Sequence, residues 1–521
     1  MRTARPLLAA AALAVVATGA AYAYGPRADA RPEAAEPLSK AALKPVGTCV
    51  PDPKHPKRQL RGVWIATVKN IDWPSRTGLS QARQQAEYVK LLDAAAARRF
   101  NAVFVQVRPA SDALYRSSLE PWSQYLTGTP GKDPGWDPLP FLIEEAHKRG
   151  LEFHAWFNPY RAAYDAKTSK LPASHPARVN PGWTVKYGDR LYYNPGLPEV
   201  RRHVTKVITD VVQRYDVDGV HFDDYFYPYP GEGGRFDDSA AFAKYGKGKK
   251  LADWRRGNVN TLVAEVNEAV HKTKAHVKFG ISPFGIWRNK AQDPSGSATS
   301  GMSAYDSIYA DARHWIKAGS VDYVMPQLYW PRGFKAADYR VLVPWWANEV
   351  KGTDVDLYIG QALYRVGTRD DKAWTKVGEL PAHLALNKGH KQVDGDVYFS
   401  AKQMLSNPLG VMDRLTATHY KRPALLPLIK PRGGTAPAKP AGLQAAGAVL
   451  RWTASAGARG YAVYRAAGAD AACADTDGRR LVAVVSSPTY TTAEPGTYVV
   501  TALDRLHNES KPAKVKVSEQ R

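Results

Sequence analysis

The stretch Val217-Asp-Gly-Val-His-Phe-Asp-Asp-Tyr-Phe-Tyr-Pro228 is the most informative part of this 521-residue chain, because its short apolar run ends on two adjacent carboxylates. A short apolar run bounded by polar residues is consistent with a buried β-strand. Asp223 and Asp224 then stand where the strand ends and a loop begins. In barrels of parallel strands, catalytic side chains come from the carboxyl ends of the strands. The stretch therefore predicts a catalytic position at the end of a parallel strand.

Similar apolar runs recur on both sides of this stretch, and segments with apolar residues at three- and four-residue spacing separate them. The other seven runs are 61–67, 102–108, 151–158, 277–282, 321–328, 355–361 and 395–400. The helical segments between them include 81–98, 140–149, 198–215, 259–273 and 303–317. Eight strands that alternate with helices predict the α/β class and a (β/α)8 TIM barrel. We place this barrel at residues 58–430.

The C-terminal part of the chain has a different texture. Residues 431–441 are rich in Pro and Gly and are typical of a linker. Five short alternating runs follow at 448–452, 460–465, 481–485, 496–502 and 513–517, which predicts a small all-β sandwich over 442–518. With Trp452 in an early strand and Tyr498 in a late one, this segment resembles a fibronectin type III module. We interpret it as a spacer or a weak carbohydrate-contacting module.

The N-terminal residues indicate export. Arg2 and Arg5 precede the apolar run 7–17 and the Ala21-Tyr-Ala23 site, as in a signal peptide. We assign residues 1–30 to the signal peptide and the start of a tether, and 31–57 to a disordered linker. A retained membrane anchor is the alternative, but the apolar run is short for a membrane span. We therefore expect a secreted or cell-wall protein without stable membrane insertion.

The charge balance restricts the partners of the protein. The chain carries 72 Lys and Arg against 49 Asp and Glu, a formal net charge of +23. Such a charge favours retention by an anionic polymer such as a cell wall, although solubility alone is an alternative reason for it. Nucleic acid is not expected, because the basic residues are scattered and no binding motif accompanies them. Cys49 and Cys473 either pair or remain two free thiols, and the oligomeric state is left open.

Polar and aromatic side chains follow most of the predicted strands. The carboxyl ends of parallel strands meet on one face of a barrel, so we expect these side chains to surround the carboxylate pair. The predicted substrate-binding residues are Asp72, Trp73, Arg108, Trp156, Asn158, Tyr160, His221, Tyr225, Trp287, Gln327, Tyr329, Trp330 and Gln361. Their amide, hydroxyl and guanidinium groups suit sugar oxygens, and aromatic faces suit sugar C–H groups. No metal or nucleotide motif is present, so we expect no metal and no cofactor.

The carboxylate pair itself predicts glycosidic chemistry. Two carboxyl groups cleave a glycosidic bond when one gives a proton to the leaving oxygen and the other stabilises or attacks the developing cation. Asp223 and Asp224 are the predicted catalytic residues, and His221, in phase with Asp223 on the strand, is expected to orient it. Asp72, Asp112 and Glu232 are further candidates for a second acid. The alternative is a structural salt bridge of the pair with Arg108 or Arg161.

The barrel region resembles the glycosyl hydrolase-like 10 family of bacterial envelope proteins. The motifs that carry this resemblance are Leu60-Arg-Gly-Val-Trp-Ile-Ala-Thr67, Asn70-Ile-Asp-Trp-Pro-Ser75, Phe153-His-Ala-Trp-Phe-Asn-Pro159, Gly219-Val-His-Phe-Asp-Asp-Tyr-Phe-Tyr-Pro228, Ile281-Ser-Pro-Phe-Gly-Ile-Trp-Arg-Asn289 and Gln327-Leu-Tyr-Trp330. The resemblance implies a retaining glycosidase and a polysaccharide substrate. The envelope setting of the family makes peptidoglycan glycan strands the expected substrate.

Two mechanisms and two further functions stay open at this point. In the first mechanism Asp223 orients the 2-acetamido group of an N-acetylhexosamine, which itself attacks, and Asp224 is the general acid and base. In the second, Asp218-Gly-Val-His-Phe-Asp223 resembles the fourth-strand motif of the α-amylase group, and Asp223 is a covalent nucleophile. The acid of that group has no counterpart after the next strand, which favours the first mechanism. The other functions are a non-catalytic wall-binding protein and an α-glucan hydrolase or transferase.

Overall fold

The computed structural model describes residues 52–231, 233–429, 434–467, 471–492 and 494–518. Eight parallel strands form a closed barrel in the order β1-β11-β10-β9-β8-β7-β3-β2. The barrel strands are β1 (Leu60–Ile65), β2 (Ala102–Arg108), β3 (Glu152–Phe157), β7 (Gly219–Phe222), β8 (Lys278–Ile281), β9 (Tyr323–Val324), β10 (Asp356–Gln361) and β11 (Val393–Tyr398). Each of the eight predicted runs overlaps one of these strands, so the predicted TIM barrel is confirmed.

Helices surround the barrel and cover its outer face. They are α1 (Gln81–Ala97), α2 (Gln124–Thr127), α3 (Pro138–Lys148), α4 (Pro176–Val179), α5 (Pro198–Arg214), α6 (Ser239–Tyr245), α7 (Leu251–Thr273), α8 (Ala304–Ser307), α9 (Ala312–Ala318), α10 (Tyr339–Val350), α11 (Glu379–Asn387), α12 (Ala401–Ser406) and α13 (Val411–Thr418). Helix α5 shows why these segments form: Val200, Val204, Val207 and Val211 recur on one buried face, as an amphipathic helix requires.

Glycines inside the barrel make room for large rings on neighbouring strands. A Cβ atom at Gly219 would lie 2.2 Å from the His154 ring, and one at Gly280 would lie 2.3 Å from the Tyr323 ring. Gly62 faces the ring of Phe104 in the same way, at 2.7 Å. Real Cβ atoms do not approach this closely, so a larger residue at any of these positions would displace the ring. The packed interior forms a floor beneath the carboxyl ends of the strands.

A small antiparallel sheet, which we did not predict, is inserted after β3. Its strands are β4 (Arg161–Ala163), β5 (Thr184–Tyr187) and β6 (Arg190–Tyr193), in the order β4-β6-β5. β4 follows directly on the carboxyl end of β3, and the insertion continues up to α5. It therefore builds a wall at the face of the barrel where the strands end.

Seven strands form the C-terminal domain in two antiparallel sheets, β12-β13-β16 and β15-β14-β17-β18. The strands are β12 (Ala441–Ala446), β13 (Val449–Thr453), β14 (Gly460–Ala466), β15 (Leu481–Val485), β16 (Thr489–Thr491), β17 (Gly496–Leu503) and β18 (Ala513–Val517). Trp452 and Tyr498 lie in one buried cluster that joins the two sheets. The small all-β sandwich is confirmed, with β12 and β16 in addition to the five predicted runs.

The C-terminal domain contacts the amino-terminal face of the barrel. Asp216, just before β7, accepts two hydrogen bonds from Arg505 at 2.7 and 3.0 Å. Glu152, the first residue of β3, lies 2.9 Å from His507 and 2.7 Å from Lys278, the first residue of β8. The domain is therefore docked against the barrel by ion pairs, and its interpretation as a spacer or a weak carbohydrate-contacting module stays a prediction.

Residues 52–57 also differ from the expected disordered linker. Lys57 forms an ion pair with Glu509, and the Lys388 side chain donates a hydrogen bond to the Lys54 carbonyl at 2.9 Å. These residues belong to the fold. The predicted signal peptide, the remainder of the linker, Cys49 and Glu232 lie outside the described residues. Cys473 is disulfide-bonded, so the alternative of two free thiols was wrong for this residue. No helix within the described ranges is long and apolar enough to cross a membrane.

Candidate active site

The two carboxylates lie at the carboxyl end of β7, and each has 5% of its surface exposed. They turn toward different neighbours. Asn158, which follows β3, donates a hydrogen bond to Asp223 at 2.6 Å. Gln327, which follows β9, donates one to Asp224 at 3.0 Å. The pair therefore bridges the barrel mouth from the β3 side to the β9 side, as adjacent residues at a strand end do once the chain bends.

A chain of hydrogen bonds reaches Asp223 from the end of β1. The backbone N–H groups of Thr67 and Val68 donate to Gln106 Oε1 at 3.1 and 2.9 Å. Gln106 Nε2 donates to Asn158 Oδ1 at 2.7 Å, and Asn158 Nδ2 then donates to Asp223. Because backbone N–H groups can only donate, they fix the orientation of both amides. The Tyr225 N–H donates to the other oxygen of Asp223 at 3.2 Å. Asp223 thus faces groups that can only donate to it.

Asp224 has partners of a different kind. Tyr229 donates its hydroxyl hydrogen to Oδ2 of Asp224. Gln327 Nε2 donates to Oδ1 and also, at 2.9 Å, to the carbonyl of Ser282, which fixes the orientation of the amide. A phenol can donate or accept, so Tyr229 can also accept a hydrogen bond from a protonated Asp224. The surroundings of Asp224 therefore tolerate either protonation state.

Burial disfavours double ionisation of this pair near neutral pH. Burial and then the neighbouring Asp224 charge raise the pKa of Asp223 to about 7, although Tyr225, Asn158 and Arg161 oppose the rise. Burial also raises the pKa of Asp224 from its ordinary value. Two adjacent carboxylates with raised pKa values hold a proton between them near neutral pH. The effect of the Asp224 charge on Asp223 would place that proton on Asp223, whereas the hydrogen-bond partners favour Asp224 as its carrier and Asp223 as the anion. The hydrogen bonds decide the assignment, because Asn158 and the Tyr225 N–H present only donors to Asp223.

His221 does not orient Asp223 through a direct contact. Its Nε2 accepts a hydrogen bond from Trp64 Nε1 at 3.2 Å and lies 3.1 Å from Ser282 Oγ. Its Nδ1 lies 3.2 Å from the Tyr323 hydroxyl. The ring is fully buried, and burial lowers its pKa well below the usual range. His221 is a neutral residue of the barrel interior beneath the pair, which corrects the expectation of direct orientation.

Aromatic rings continue from Asp224 along the rim. Tyr225 and Tyr229 have ring centroids 5.6 Å apart, Tyr229 and Phe284 6.2 Å, and Phe284 and Trp330 5.4 Å. Tyr329 and Trp330 are partly exposed and follow β9. Trp156 lies on the inward face of β3 with 6% exposure. The structure brings Trp156, Asn158, Tyr225, Gln327, Tyr329 and Trp330 to the mouth, and their binding of substrate stays a prediction.

Arg108 was wrongly placed at this mouth, because a β-bulge reverses its direction. Gln106 pairs with the inward-facing Trp156, but Arg108 pairs with Phe157, whose side chain packs in the outer core. Arg108 is fully buried there and binds Glu120 through two hydrogen bonds of 2.7 and 2.6 Å. One extra residue in a strand shifts the following side chain to the other face. The predicted salt bridge between Arg108 and the carboxylate pair is therefore also wrong.

Four further predicted binding residues lie in the core. Trp73 is fully buried and donates to the Gln84 carbonyl at 2.8 Å. On β10, Tyr358 and Gly360 face the barrel interior, since alternate residues of a strand share a face. Gln361 therefore faces the helices, where it donates hydrogen bonds to Tyr339 and Asp396. Tyr160 is fully buried, and Trp287, 4% exposed, donates to Asp311. These placements correct the predictions for Trp73, Tyr160, Trp287 and Gln361.

Asp72 and Asp112 act as structural acceptors. Asp72 accepts hydrogen bonds from the Ala66 N–H, the Ser400 hydroxyl and the Lys402 N–H at 2.7 to 2.8 Å, which tie the end of β1 to the segment after β11. Burial raises its pKa to about 6. Asp112 accepts from the Ala110 N–H at 2.8 Å. Neither hydrogen-bonds to the pair, so the prediction of Asp72 as a substrate-binding residue has no support in its contacts.

Sequence reasoning missed Gln106 and Tyr229 at the mouth, and it considered Arg161 only as a salt-bridge partner of the carboxylate pair. Phe104 faces the barrel interior, and Gln106, two residues later on the same strand, shares that face. This alternation could have predicted Gln106 from the sequence. Arg161 forms no ion pair with either carboxylate, and no other described residue pairs with them. The described part of the chain contains no group of three His, Cys, Asp or Glu residues that could hold a metal ion.

Comparison with known proteins agrees with this geometry. Residues 59–376 match the model of the family described as glycosyl hydrolase-like 10. The glycosyl hydrolase YngK of Bacillus subtilis is 48% identical over 88% of this chain and 93% of its own length. The glycosyl hydrolase DigH of Escherichia coli K12 is 41% identical over 70% of this chain and 88% of its own length.

Among solved structures, the glycoside hydrolase domain of PgaB (BpsB) from Bordetella bronchiseptica has a TM-score of 0.47 and 14% identity, covering 70% of this chain and 99% of that domain. The family match spans most of the barrel, including both carboxylates and the residues that hold them. The chain belongs to the glycosyl hydrolase-like 10 family and is a glycosidase.

Proposed function

We propose that the protein is a secreted, wall-associated retaining glycosidase that cleaves an N-acetylhexosamine-containing glycan, with peptidoglycan strands as the substrate. The family resemblance and the net charge of +23 support an anionic wall polymer. The absence of an ion pair between the carboxylates and any described residue supports hydrolysis over simple binding. The aromatic rim from Tyr225 to Trp330 supports a sugar chain lying across the mouth.

The mechanism that fits the pair uses the substrate acetamido group as nucleophile. Asp224 gives its proton to the glycosidic oxygen as the bond to the anomeric carbon breaks. Anionic Asp223 accepts the acetamido N–H and holds the acetamido oxygen against that carbon, where it forms a cyclic oxazolinium. Asp224, now ionised, takes a proton from water, and the water oxygen opens the ring from the original side. The product therefore retains its anomeric configuration.

One observation carries this assignment: the two adjacent carboxylates have different hydrogen-bond partners. Asp223 receives only donors, from Asn158 and the Tyr225 N–H, which stabilise an anion. Asp224 contacts Tyr229, whose hydroxyl can reverse its role when Asp224 is protonated. Asp224, as the acid, must hold a proton, and Asp223, as the anion, must accept the acetamido N–H. The two environments suit these two roles.

The test is the dependence of the rate on the acetyl group. We would measure hydrolysis of an aryl N-acetylhexosaminide series in which the acetyl carries zero, one, two or three fluorine atoms. An attacking acetamido oxygen becomes a weaker nucleophile with each fluorine, so kcat/KM should fall steeply along the series. A flat series would reject substrate assistance, and trapping of a sugar on Asp223 by a 2-fluoroglycoside would favour the nucleophile mechanism. An α-glucan serves as the control and should give no product.

We propose that the C-terminal domain is a fibronectin type III-like module and that the N-terminus is a cleaved signal peptide. The three-plus-four arrangement of seven antiparallel strands supports the first assignment. The n-region, apolar run and small-residue site support the second. Mass spectrometry of the protein recovered from culture medium and wall fractions tests export. A chain that keeps Met1 and stays in the cells would contradict it.

A further inference from the structure

Arg161 is buried beside the carboxylate pair without a partner for its charge. Its side chain is 2% exposed, and the described residues offer no hydrogen-bond partner to Nε or Nη1. Three tyrosine rings surround the guanidinium, with centroids 4.7 Å away at Tyr164, 4.9 Å at Tyr192 and 4.8 Å at Tyr225. Cation–π contacts compensate part of the desolvation of a cation but satisfy none of its N–H donors.

The position of this cage connects it to the chemistry. Arg161 opens β4, three residues after Asn158, and Tyr225 both packs on the guanidinium and donates its N–H to Asp223. Burial raises the pKa of Asp223 and of Asp224, and the Arg161 charge opposes the rise in both. Arg161 therefore lies within electrostatic range of both carboxylates without hydrogen-bonding to either.

A second unpartnered donor lies on the same side of the mouth. Trp156 Nε1 is buried, and no described residue accepts its hydrogen bond. Trp156 precedes Asn158 by two residues on the inward face of β3. Buried donors without acceptors are rare in folded proteins, because each one costs free energy. Here Arg161 and Trp156 together give an excess of N–H donors, which calls for a ligand group rich in acceptor oxygens.

We infer that Arg161 is a specificity-determining residue that binds a carboxylate carried by the sugar next to the scissile bond. A carboxylate matches the guanidinium in charge and in the spacing of its oxygens, whereas a hydroxyl or an amide carbonyl leaves the charge unpaired. This inference rests on the proposed function, because it takes the mouth as the glycan site. It adds to that function the selection of acidic sugars over neutral ones.

Arg255 shows what a structural arginine looks like in this protein. It also lies among aromatic rings, those of Tyr227, Phe236 and Tyr309. Unlike Arg161, it binds the carboxylate of Asp238 through Nε at 2.8 Å and through Nη2 at 2.5 Å. This buried arginine thus has its own carboxylate in the chain. Arg161 lacks one, and the substrate supplies it.

The experiment compares two glycans that differ only in charge. One is a tetrasaccharide of alternating N-acetylglucosamine and N-acetylmuramic acid, and the other is the same compound with its carboxylates reduced to alcohols. Calorimetry with the Asp224→Asn variant gives the dissociation constant of each without hydrolysis. We expect the carboxylate form to bind about 10- to 100-fold more tightly, the effect of charge-assisted hydrogen bonds. Adding Arg161→Met should reduce this ratio to about 3 or less.

Two further variants make the result decisive. Arg365→Met removes a positive charge from the same end of the barrel, where Arg365 stacks on Tyr364, and should leave the ratio intact. Arg161→Lys keeps the charge in the cage and should reduce the ratio less than Arg161→Met. If Arg161→Met does not fold, a fall in the ratio with Arg161→Lys supports the inference and an unchanged ratio overturns it. Equal weakening of both glycans by Arg161→Met, or no preference before it, also overturns it.

Hydrolysis by the unmodified enzyme is followed separately with the same two glycans. If it cleaves neither glycan while binding still depends on the carboxylate and on Arg161, the proposed hydrolysis fails and the specificity role stands. If both are cleaved at equal rates and bound equally, the specificity role fails and the glycosidase stands.

Discussion

Asp223 and Asp224 are neighbours in the chain, yet the hydrogen bonds that reach them come from opposite sides of β7. Asp223 is connected through Asn158 and Gln106 to the backbone at the end of β1. Asp224 is connected through Gln327 to the backbone after β8. Gln106 and Gln327 are matched probes of the pair, since a backbone group orients the amide of each. Gln106 acts on Asp223 through Asn158, and Gln327 donates directly to Asp224.

Changing these amides should move opposite limbs of the pH profile. In Gln106→Glu the new carboxylate still accepts from Thr67 and Val68, but Asn158 must turn its oxygen toward Asp223. The pKa of Asp223 then rises, so the acidic limb of kcat/KM moves to higher pH. In Gln327→Glu the pKa of Asp224 rises, because a donor is replaced by a negative charge, and the basic limb moves to higher pH.

The measurement is kcat/KM from about pH 4 to pH 9, the range that spans the ordinary pKa of a carboxylate and a raised one. The limbs report the coupled pair, so the comparison is between variants and not between absolute values. If Gln106→Glu moves the basic limb and Gln327→Glu the acidic limb, the roles of Asp223 and Asp224 are reversed.

The buried acid should cost stability above its ordinary pKa. Burial raises the pKa of Asp224, so the folded state binds its proton more tightly than the unfolded state does. Stability is therefore unaffected at about pH 3, where both states are protonated, and falls as pH rises above about 4. Asp224→Asn keeps both hydrogen bonds, since the Tyr229 hydroxyl can accept. We expect its melting temperature to exceed that of the parent by about 2 °C or more at pH 8 and to match it at pH 3.

Asp223→Asn is the matched comparison for this stability effect. Its new amide nitrogen would face either the Asn158 amide or the Tyr225 N–H, both of which donate. A buried donor that meets another donor loses a hydrogen bond, which offsets the gain from removing the charge. A gain for Asp223→Asn as large as that for Asp224→Asn would show that the two environments do not differ.

At the scale of elements, periodicity predicted the barrel, because eight buried strands alternate with amphipathic helices along the chain. It could not predict which face each side chain takes near a strand end. The bulge between Gln106 and Arg108 can be recognised only from the pairing of β2 with β3. Gln361 lies one position beyond an inward-facing residue of β10, so its side chain faces the helices. The β4-β6-β5 sheet was not predicted, because its strands of three or four residues are too short to show a periodic pattern. Its contribution to the site, Arg161, was therefore recognised only as a salt-bridge candidate.

The glycine positions inside the barrel should be intolerant of even one methyl group. A Cβ at Gly280 would lie 2.3 Å from the Tyr323 ring, whose hydroxyl contacts His221 beneath the pair. We expect Gly280→Ala to destabilise the barrel by about 1–3 kcal/mol, the cost of overpacking a core. Gly257→Ala is the control, because this position in α7 is exposed and open, and should be neutral or stabilising by up to about 1 kcal/mol.

Urea unfolding followed by tryptophan fluorescence measures both glycine variants. Equal stability of Gly280→Ala and the parent would mean that the interior is looser than the contacts between rings and glycines indicate.

At the scale of the whole molecule, the C-terminal domain and the carboxylate pair occupy opposite faces of the barrel. Asp216 and Glu152, which bind Arg505 and His507 of the domain, stand at the amino-terminal ends of strands. Asp223 and Asp224 stand at the carboxyl ends. The composition of the segment predicted a separate sandwich but gave no sign of this docking, because the ion pairs join residues far apart in the chain. The described part of the domain therefore packs against the face of the barrel opposite the mouth.

Breaking this interface should lower stability and leave catalysis alone. Burial acts to raise the pKa of Asp216, but the hydrogen bonds and charge of Arg505 hold it at about 2. This stabilisation is present above about pH 4, the ordinary pKa of Asp, and is lost as pH falls toward 2. Because the pair is half exposed, we expect Arg505→Leu to cost only about 0.5–1 kcal/mol at pH 7. A changed kcat with normal stability would mean that the domain acts on the active site.

The most direct test of the account is the release of products from peptide-free peptidoglycan strands, followed by mass spectrometry. The mature protein should cleave them, and Asp224→Asn should lose at least about 100-fold in rate, as removal of a general acid does. Asp72→Asn is the control. Asp72 is another carboxylate near the rim with a raised pKa, but its oxygens accept hydrogen bonds from Ala66, Ser400 and Lys402. This variant should keep its activity. Cleavage that survives in Asp224→Asn, or that disappears in a folded Asp72→Asn, would contradict the assignment of Asp224 as the acid.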